Sequence, residues 1–304
     1  MKEEKGVGEF LKRYPKVEEE TIAIVTGANS GIGYGVSNLL SRKGVKVIMA
    51  CRNLNKGELA ISKIRLENPT AELDLMELDV SSLKSVNIFA EKFRAKYGKL
   101  NLLINNAGVM AIPYSTTVDG FETQFGTNHL GHFALTGLLL DLILSSKGSR
   151  VISTSSIAHF KGKIYFDDIN LKEGYTKWSA YRQSKLANLI FAYELDRRFK
   201  KAGKEAIALS AHPGVTSTNI MKIPPILEGL KAMVLMSEIK GSLSTFMSAM
   251  DKDLRGGEFI GPDGRNQTFG FPKIQRSSDY SYKSNIWLRL WEESEKLTGI
   301  KYNI

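Results

Sequence analysis

Thr26-Gly27-Ala28-Asn29-Ser30-Gly31-Ile32-Gly33 follows the short β-branched run Ile22-Ala23-Ile24-Val25 and opens a helical pattern that runs from Gly31 to a stop at Gly44. Glycines between a buried strand and a helix let the backbone turn tightly and approach a pyrophosphate closely. The helix N-terminus adds unbonded N–H groups and the positive end of its dipole, so Gly27, Asn29, Ser30, Gly31, Ile32 and Gly33 form a candidate phosphate cradle. The spacing Gly-x3-Gly-x-Gly is wider than the common Gly-x-Gly-x2-Gly dinucleotide fingerprint. No Gly-Lys-Ser/Thr follows, which excludes a P-loop.

Strand and helix patterns alternate outward from this turn. Strands are predicted at 45–50, 73–78, 100–104, 150–154 and 206–211, and helices at 54–66, 83–96, 120–144 and 179–201. Such β-α-β alternation implies a parallel sheet with helices on both faces. The phosphate turn selects an α/β, doubly wound, Rossmann-type sheet over a closed barrel. We read one domain over residues 21–300, binding cofactor and substrate, after a charged N-terminal extension, 1–20. An irregular substrate lid falls at about 213–240 and a C-terminal helix at about 283–298.

The 304 residues carry 42 Lys+Arg against 32 Asp+Glu, a net charge of +10, with 42% hydrophobic residues. That profile excludes disordered and collagen-like classes. The single cysteine, Cys51, excludes an intrachain disulfide scaffold and fits a reducing compartment. No apolar run approaches the ~18 residues of a membrane span, and the charged start lacks a signal-peptide core, so the expected location is cytoplasmic. Peripheral membrane contact is left to the basic, aromatic stretch Phe10-Leu11-Lys12-Arg13-Tyr14. Bases alternate with acids, as in Glu91-Lys92-Phe93-Arg94, and no nucleic-acid motif occurs, so no nucleic-acid partner is expected. Homo-oligomerisation stays open.

A ribose-selecting acid normally lies ~20 residues beyond the glycine turn. Here that place reads Ala50-Cys51-Arg52-Asn53, with Lys56 behind it. A guanidinium can grip a phosphate in a fork, which favours NADP(H) over NAD(H). Further on, Tyr181 and Lys185 are i and i+4 on one predicted helix and share a face. An ammonium there should lower the tyrosine pKa from about 10. His129-x2-His132 lacks a third ligand, so no metal is expected.

The glycine turn, Asn105-Asn106-Ala107-Gly108, Ser155-Ser156 and Tyr181-x3-Lys185, in this order, resemble the short-chain dehydrogenase/reductase family. Asn128-His129-Leu130-Gly131-His132-Phe133, Ser184-Lys185-Leu186-Ala187-Asn188 and His212-Pro213-Gly214-Val215 resemble its retinol-dehydrogenase-like branch. The resemblance runs from about Thr21 to Leu297. It implies that Tyr181 is the general acid/base, that Lys185 bonds the nicotinamide ribose, and that Asn128 organises a water relay to the lysine. The family register places Ser156, three residues before His159, as the catalytic serine, with Ser155 as the competing choice. Asp79 and Val80 are implied at the adenine, and Asn106, Ala107 and Gly108 near the nicotinamide ribose. Pro213, Gly214, Val215 and Thr218 are implied at the carboxamide, Val215 and Thr218 as its bonding partners. The implied reaction is reversible hydride transfer between NADP(H) and an aldehyde or ketone. The Met-, Ile- and Leu-rich stretch 219–236 suits a lipophilic substrate. A catalytically weak NADP(H) sensor and an epimerase are the competing readings. Intact Ser156, Tyr181 and Lys185 argue against the first, and Arg52 against the second.

Overall fold

A computed structural model describes residues 2–216 and 236–304. Strands β1 (Ile22–Thr26), β2 (Lys46–Cys51), β3 (Leu73–Glu77), β4 (Leu102–Asn105), β5 (Arg150–Thr154), β6 (Ile207–Ala211), β7 (Phe259–Pro262) and β8 (Pro272–Gln275) form one sheet. Their order is β3-β2-β1-β4-β5-β6-β7-β8, and every pairing is parallel except the last. The order reverses direction between β1 and β4, which opens a crevice at the carboxyl ends of the strands, the usual ligand position in such sheets.

The sheet is sealed on both faces, so its inner strands are apolar throughout rather than alternating. In β1, Ala23 and Val25 join the core formed with α2 (Gly31–Ser41) and α3 (Leu54–Glu67), through Val36, Leu39, Leu40 and Ile64. Ile22 and Ile24 point the other way, to Phe89 and Phe93 of α4 (Leu83–Lys96) and to Phe191, Leu195 and Phe199 of the long helix considered below.

Three parts differ from the expectation. The N-terminal extension contains a helix, α1 (Lys2–Lys12), and Val7, Phe10 and Tyr14 are buried in the first core. Phe10 lies 5.9 Å from Phe271, and Tyr14 lies 5.4 Å from Phe246. The aromatic side chains offered for membrane contact therefore turn inward. The 120–144 helix is broken into α5 (Thr123–Phe125), a π-helical turn (Gly126–Leu130), α6 (Gly131–Leu138) and α7 (Leu140–Ser145). Gly131 presses on the Val80 carbonyl so closely that a Cβ would collide, and the π turn rotates Asn128 and His132 toward the sheet end.

The third difference is at the carboxyl-terminal edge. Helix α8 (Lys177–Lys201) precedes β6 as expected, but α9 (Glu238–Met250), β7 and antiparallel β8 follow it. Helix α9 packs on α2, where Gly35 admits Ser242, whose hydroxyl donates to the Ile32 carbonyl at 3.1 Å. The C-terminal helix α10 (Ser284–Thr298) lies across α8, with Trp291 stacked 5.9 Å from Phe191. Among the described residues no helix is long and apolar enough to cross a membrane. Most of the expected lid, including Thr218, lies outside them.

Candidate active site

The strand ends and the turns after them enclose a cavity of about 690 Å³. Its floor is the glycine turn. Gly27 and Gly31 have φ values of 67° and 56°, a left-handed conformation that suits glycine. A Cβ on Gly33 would strike the Gly27 carbonyl oxygen and lie 2.6 Å from Asn106 Nδ2. Ser30, the N-cap of α2, makes no side-chain capping bond, so the first N–H groups of the helix face the cavity without a side-chain cap. Behind the turn, burial pushes the Cys51 thiol up to about 11 against hydrogen bonds from the Ala28 and Asn29 amides. That thiol is a support for the turn, not a nucleophile.

One hydroxyl ties the turn to β4. Thr26 Oγ1 accepts from the backbone N–H groups of Asn106 and Ala107, each at 2.9 Å, and lies 2.9 Å from His132 Nε2. His132 Nδ1 donates to the Asn128 carbonyl at 2.9 Å, which leaves Nε2 as the acceptor for Thr26. The ring must be neutral to do both, and burial holds its pKa down at about 4. Asn106 Nδ2 donates to the Thr26 carbonyl at 2.9 Å. Asn106, Ala107 and Gly108 all line the cavity, whereas Asn105 turns into the core and donates to Thr136.

At the end of β2, Arg52 is exposed and 3.7 Å from Asp79, and Lys56 lines the same wall at the start of α3. Asp79 Oδ1 is held by the backbone N–H and hydroxyl of Ser81 at 2.9 and 2.6 Å. Val80 lines the cavity next to it.

At the opposite end lie the tyrosine and the serines. Helix α8 begins with a capping box between Thr176 and Ser179, which fixes the turn carrying Tyr181. Tyr181 and Ser156 line the same wall of the cavity, the serine near enough to the phenol to favour its ionised form. Ser156 accepts from the Ala158 amide at 3.2 Å, leaving its own proton free to donate. Ser155 points the other way and donates to the Lys185 carbonyl at 2.8 Å inside the core. The two adjacent serines thus occupy opposite sides of the strand end, as alternation requires.

Burial raises the Tyr181 pKa, and the Ser156 hydrogen bond only partly offsets this. The expected lowering by Lys185 is not what the cavity produces. The ammonium is 5.9 Å from the ring centre and donates to the Thr154 carbonyl at 3.1 Å. Burial brings the lysine itself down to about 8. Asn128 fastens the neighbouring loop to α8: Oδ1 accepts from the Val109 amide at 2.8 Å, and Nδ2 donates to the Val109 carbonyl and Ser184 Oγ at 2.9 Å each.

Pro213, Gly214 and Val215 line the cavity beside this end. Both backbone groups of Val215 are already engaged, its amide with the Thr268 carbonyl at 2.8 Å and its carbonyl with the Met236 amide at 3.1 Å. The expected carboxamide contact through the Val215 amide therefore requires its bond to Thr268 to yield, whereas the Val215 carbonyl keeps a second lone pair for it.

Val109, Met110 and Arg182 on the cavity wall have no role in the motif reading, Phe160, Lys161 and Trp178 line it from the segment after Ser156, and His159 and His212, members of motifs without an assigned role, stand behind it. His159 Nε2 accepts from the Ser278 amide at 3.2 Å, and its Nδ1 donates to the Ser156 carbonyl at 2.7 Å. Their adjacency to Ser156, Tyr181 and Pro213 is the only sequence signal for most of them.

A glycine turn at a helix N-terminus, a strand-end cation, and Tyr181, Ser156 and Lys185 lining one cavity fit a nicotinamide dinucleotide. The sequence pattern of the short chain dehydrogenases matches residues 21–223. The chain belongs to that family. Among its relatives, human retinol dehydrogenase 12 is 44% identical, over 92% of this chain and 87% of its own length. Human retinol dehydrogenase 13 is 40% identical, over 91% of this chain and 84% of its own. A solved protein from Mycobacterium paratuberculosis superposes with a TM-score of 0.82 at 39% identity, covering 97% of this chain and 98% of that one. A short chain dehydrogenase from Shigella flexneri complexed with NADP shares the fold, with a TM-score of 0.64 at 22% identity over 79% of this chain and 96% of that one. This short-chain dehydrogenase is therefore retinol-dehydrogenase-like, a nicotinamide-dependent oxidoreductase acting on alcohol and carbonyl groups.

Proposed function

We propose that the protein is an NADP(H)-dependent reductase of lipophilic aldehydes and ketones, reversible to the alcohol. The observation that carries this reading is the pairing of Tyr181 with Ser156 on the wall of the cavity whose floor is the glycine turn. When bound, the nicotinamide supplies or accepts the hydride. Gly27, Asn29, Ser30, Gly31, Ile32 and Gly33 would hold the pyrophosphate, with Asp79 and Val80 beside the adenine. Arg52 and Lys56 would grip the 2′-phosphate that distinguishes NADP.

The chain's own groups handle the substrate oxygen. Ser156 donates to it, with a hydroxyl proton that the Ala158 contact leaves free, and stabilises the charge that develops there. Tyr181 gives that oxygen its proton in reduction and takes it back in oxidation. Burial favours the protonated phenol, the form from which Tyr181 gives its proton in reduction. Lys185, brought down to about 8 by burial, would bond the nicotinamide ribose beside Tyr181, its ammonium 5.9 Å from the tyrosine ring centre. Asn128 holds the Val109 loop against α8 and keeps the lysine's surroundings fixed.

The test is the loss of NADPH absorbance with a panel of medium-chain aldehydes, retinal and steroid ketones, with NADH and a Tyr181→Phe protein alongside. Turnover with NADPH that disappears in Tyr181→Phe supports the reading. NADPH binding in a thermal-shift assay without turnover of any carbonyl would favour a sensor instead.

A further inference from the structure

The charges around the cavity are unequally distributed. Five cations line it, Arg52, Lys56, Lys161, Arg182 and Lys185, against one carboxylate among the described residues, Asp79, which is engaged with Arg52. Lys185 is committed to the Thr154 carbonyl. Arg52 and Lys56 follow β2, and three strand spacings separate that strand from β5, about 14 Å at ~4.8 Å each. Lys161 and Arg182 stand at the β5 side, next to Ser156 and Tyr181, away from any phosphate the glycine turn would hold.

These two cations have no carboxylate partner among the described residues. They come from adjoining backbones: a Cβ on Gly162 would lie 2.8 Å from the Arg182 carbonyl oxygen, so the turn carrying Lys161 is packed onto the turn of α8 carrying Arg182. Two large aromatics flank them. Phe160 is 45% and Trp178 49% exposed, and Trp178 meets Tyr181 edge-on at 6.0 Å. Exposed aromatic rings at a cavity mouth favour an apolar occupant, and the cations beside them favour an anion at its end.

We propose that the substrate is a lipophilic aldehyde or ketone bearing a carboxylate, with the reacting carbonyl at Tyr181 and Ser156 and the carboxylate between Lys161 and Arg182. This assignment rests on the oxidoreductase reading above. The guanidinium fork matches a carboxylate in two parallel hydrogen bonds, and the lysine adds a second charge.

A matched set tests it: a medium-chain ω-oxo acid, short enough to reach both Tyr181 and the two cations beside it, its methyl ester and the plain alkanal of equal length. The expected result is a kcat/KM about five- to tenfold higher for the acid than for the ester at low salt, narrowing as added salt screens the pair. Reversing the charges in a Lys161→Glu/Arg182→Glu protein should invert the preference, disfavouring the acid and favouring an aldehyde with a terminal ammonium. Equal kcat/KM for acid and ester, or an acid preference that survives charge reversal, overturns this assignment, while turnover of the ester leaves the oxidoreductase reading in place. Failure of all three compounds with both NADPH and NADH overturns both.

Discussion

Mild acid should unfold this protein through its histidines. All four, His129, His132, His159 and His212, are 2% exposed or less. Burial lowers His132 and His159 to about 4, and His129 and His212 to about 3. The bonds explain why no proton can be added. His159 and His132 each use one ring nitrogen as donor and the other as acceptor. His212 accepts the Gly214 amide on Nδ1 at 3.2 Å, so its Nε2 donates to Gln267 Oε1 at 3.1 Å. A second ring proton would face another N–H or O–H in each case. In the unfolded chain every ring returns to about 6.5. The unfolded state therefore binds protons that the folded state refuses, and stability that is full above pH 6.5 is lost as pH falls toward the folded values.

Between pH 7 and 5 that loss is about 2 kcal/mol per histidine and about 7 kcal/mol for the set, comparable with the whole stability of a typical domain, about 5–15 kcal/mol. Glu122 and Asp196, both raised by burial, act in the opposite sense and offset part of it. Urea unfolding at closely spaced pH values should give a slope equivalent to about two to four protons taken up near pH 5. His129→Gln or His212→Gln should reduce that uptake by about one. Stability that stays flat from pH 6.5 to 5, or a slope indifferent to either substitution, refutes the reasoning.

Three further outcomes follow from the site. Ser156→Ala should lower kcat by about 10²–10³. Ser155→Ala should instead cost about 0.5–1.5 kcal/mol of stability, by removing a buried hydrogen bond to a Lys185 carbonyl that its own helix still satisfies, with activity largely kept; the opposite pattern in steady-state kinetics would exchange the two roles. Gly33→Ala should lower Tm by roughly 2–5 °C, as expected for about 1–3 kcal/mol of overpacking in a chain of this length. It should also abolish the further rise on adding NADPH, read by thermal shift, because the Gly27 carbonyl and Asn106 must move aside. Arg52→Ala with Lys56→Ala should cut the NADPH-over-NADH ratio of kcat/KM about 10- to 100-fold, the worth of one or two charged hydrogen bonds; an unchanged ratio would place the 2′-phosphate elsewhere.

The strands and helices around the phosphate turn were legible because both faces of the sheet are buried. A run such as Ile22-Ala23-Ile24-Val25 announces itself without any partner, and Ser82 and Asn53 mark helix starts by capping the Ser85 and Lys56 amides. The segments that were missed depend on distant contacts. Phe259 and Ile260 form a strand because β6 lies beside them, and β8 begins and pairs at prolines, which read as turns. Helix α1 has a charged sequence, and only the docking of Val7, Phe10 and Tyr14 on α9 and the β8 side makes it part of the core. The 120–144 helix kept its apolar periodicity while its hydrogen bonding changed to a π turn, a change that hydrophobic spacing does not record.

The same distinction divides the site. Its cofactor half is built from turns directly joined to strand ends, so a residue's place in the motif fixes its place in space, and Gly31, Arg52, Asp79 and Gly108 all reach the cavity wall, with Gly33 packed behind the turn against the Gly27 carbonyl. Strand alternation says that Ser155 and Ser156 face opposite ways; which of them turns inward is read from the Ser155 bond to the Lys185 carbonyl. The electrostatics were harder, because they depend on depth. Proximity to Lys185 argued for an acidic Tyr181, but proximity in sequence says nothing about how much water is removed from either group. Both groups lose it, so burial raises the tyrosine and lowers the lysine together. Their shifts run in opposite directions, from 10 upward and from 10.5 down to about 8, so at neutral pH the tyrosine keeps its proton and the lysine is the group that titrates first as pH rises. On the proposed roles, oxidation of an alcohol is then the direction that gains most from alkali, since Tyr181 must lose its proton before it can act as a base.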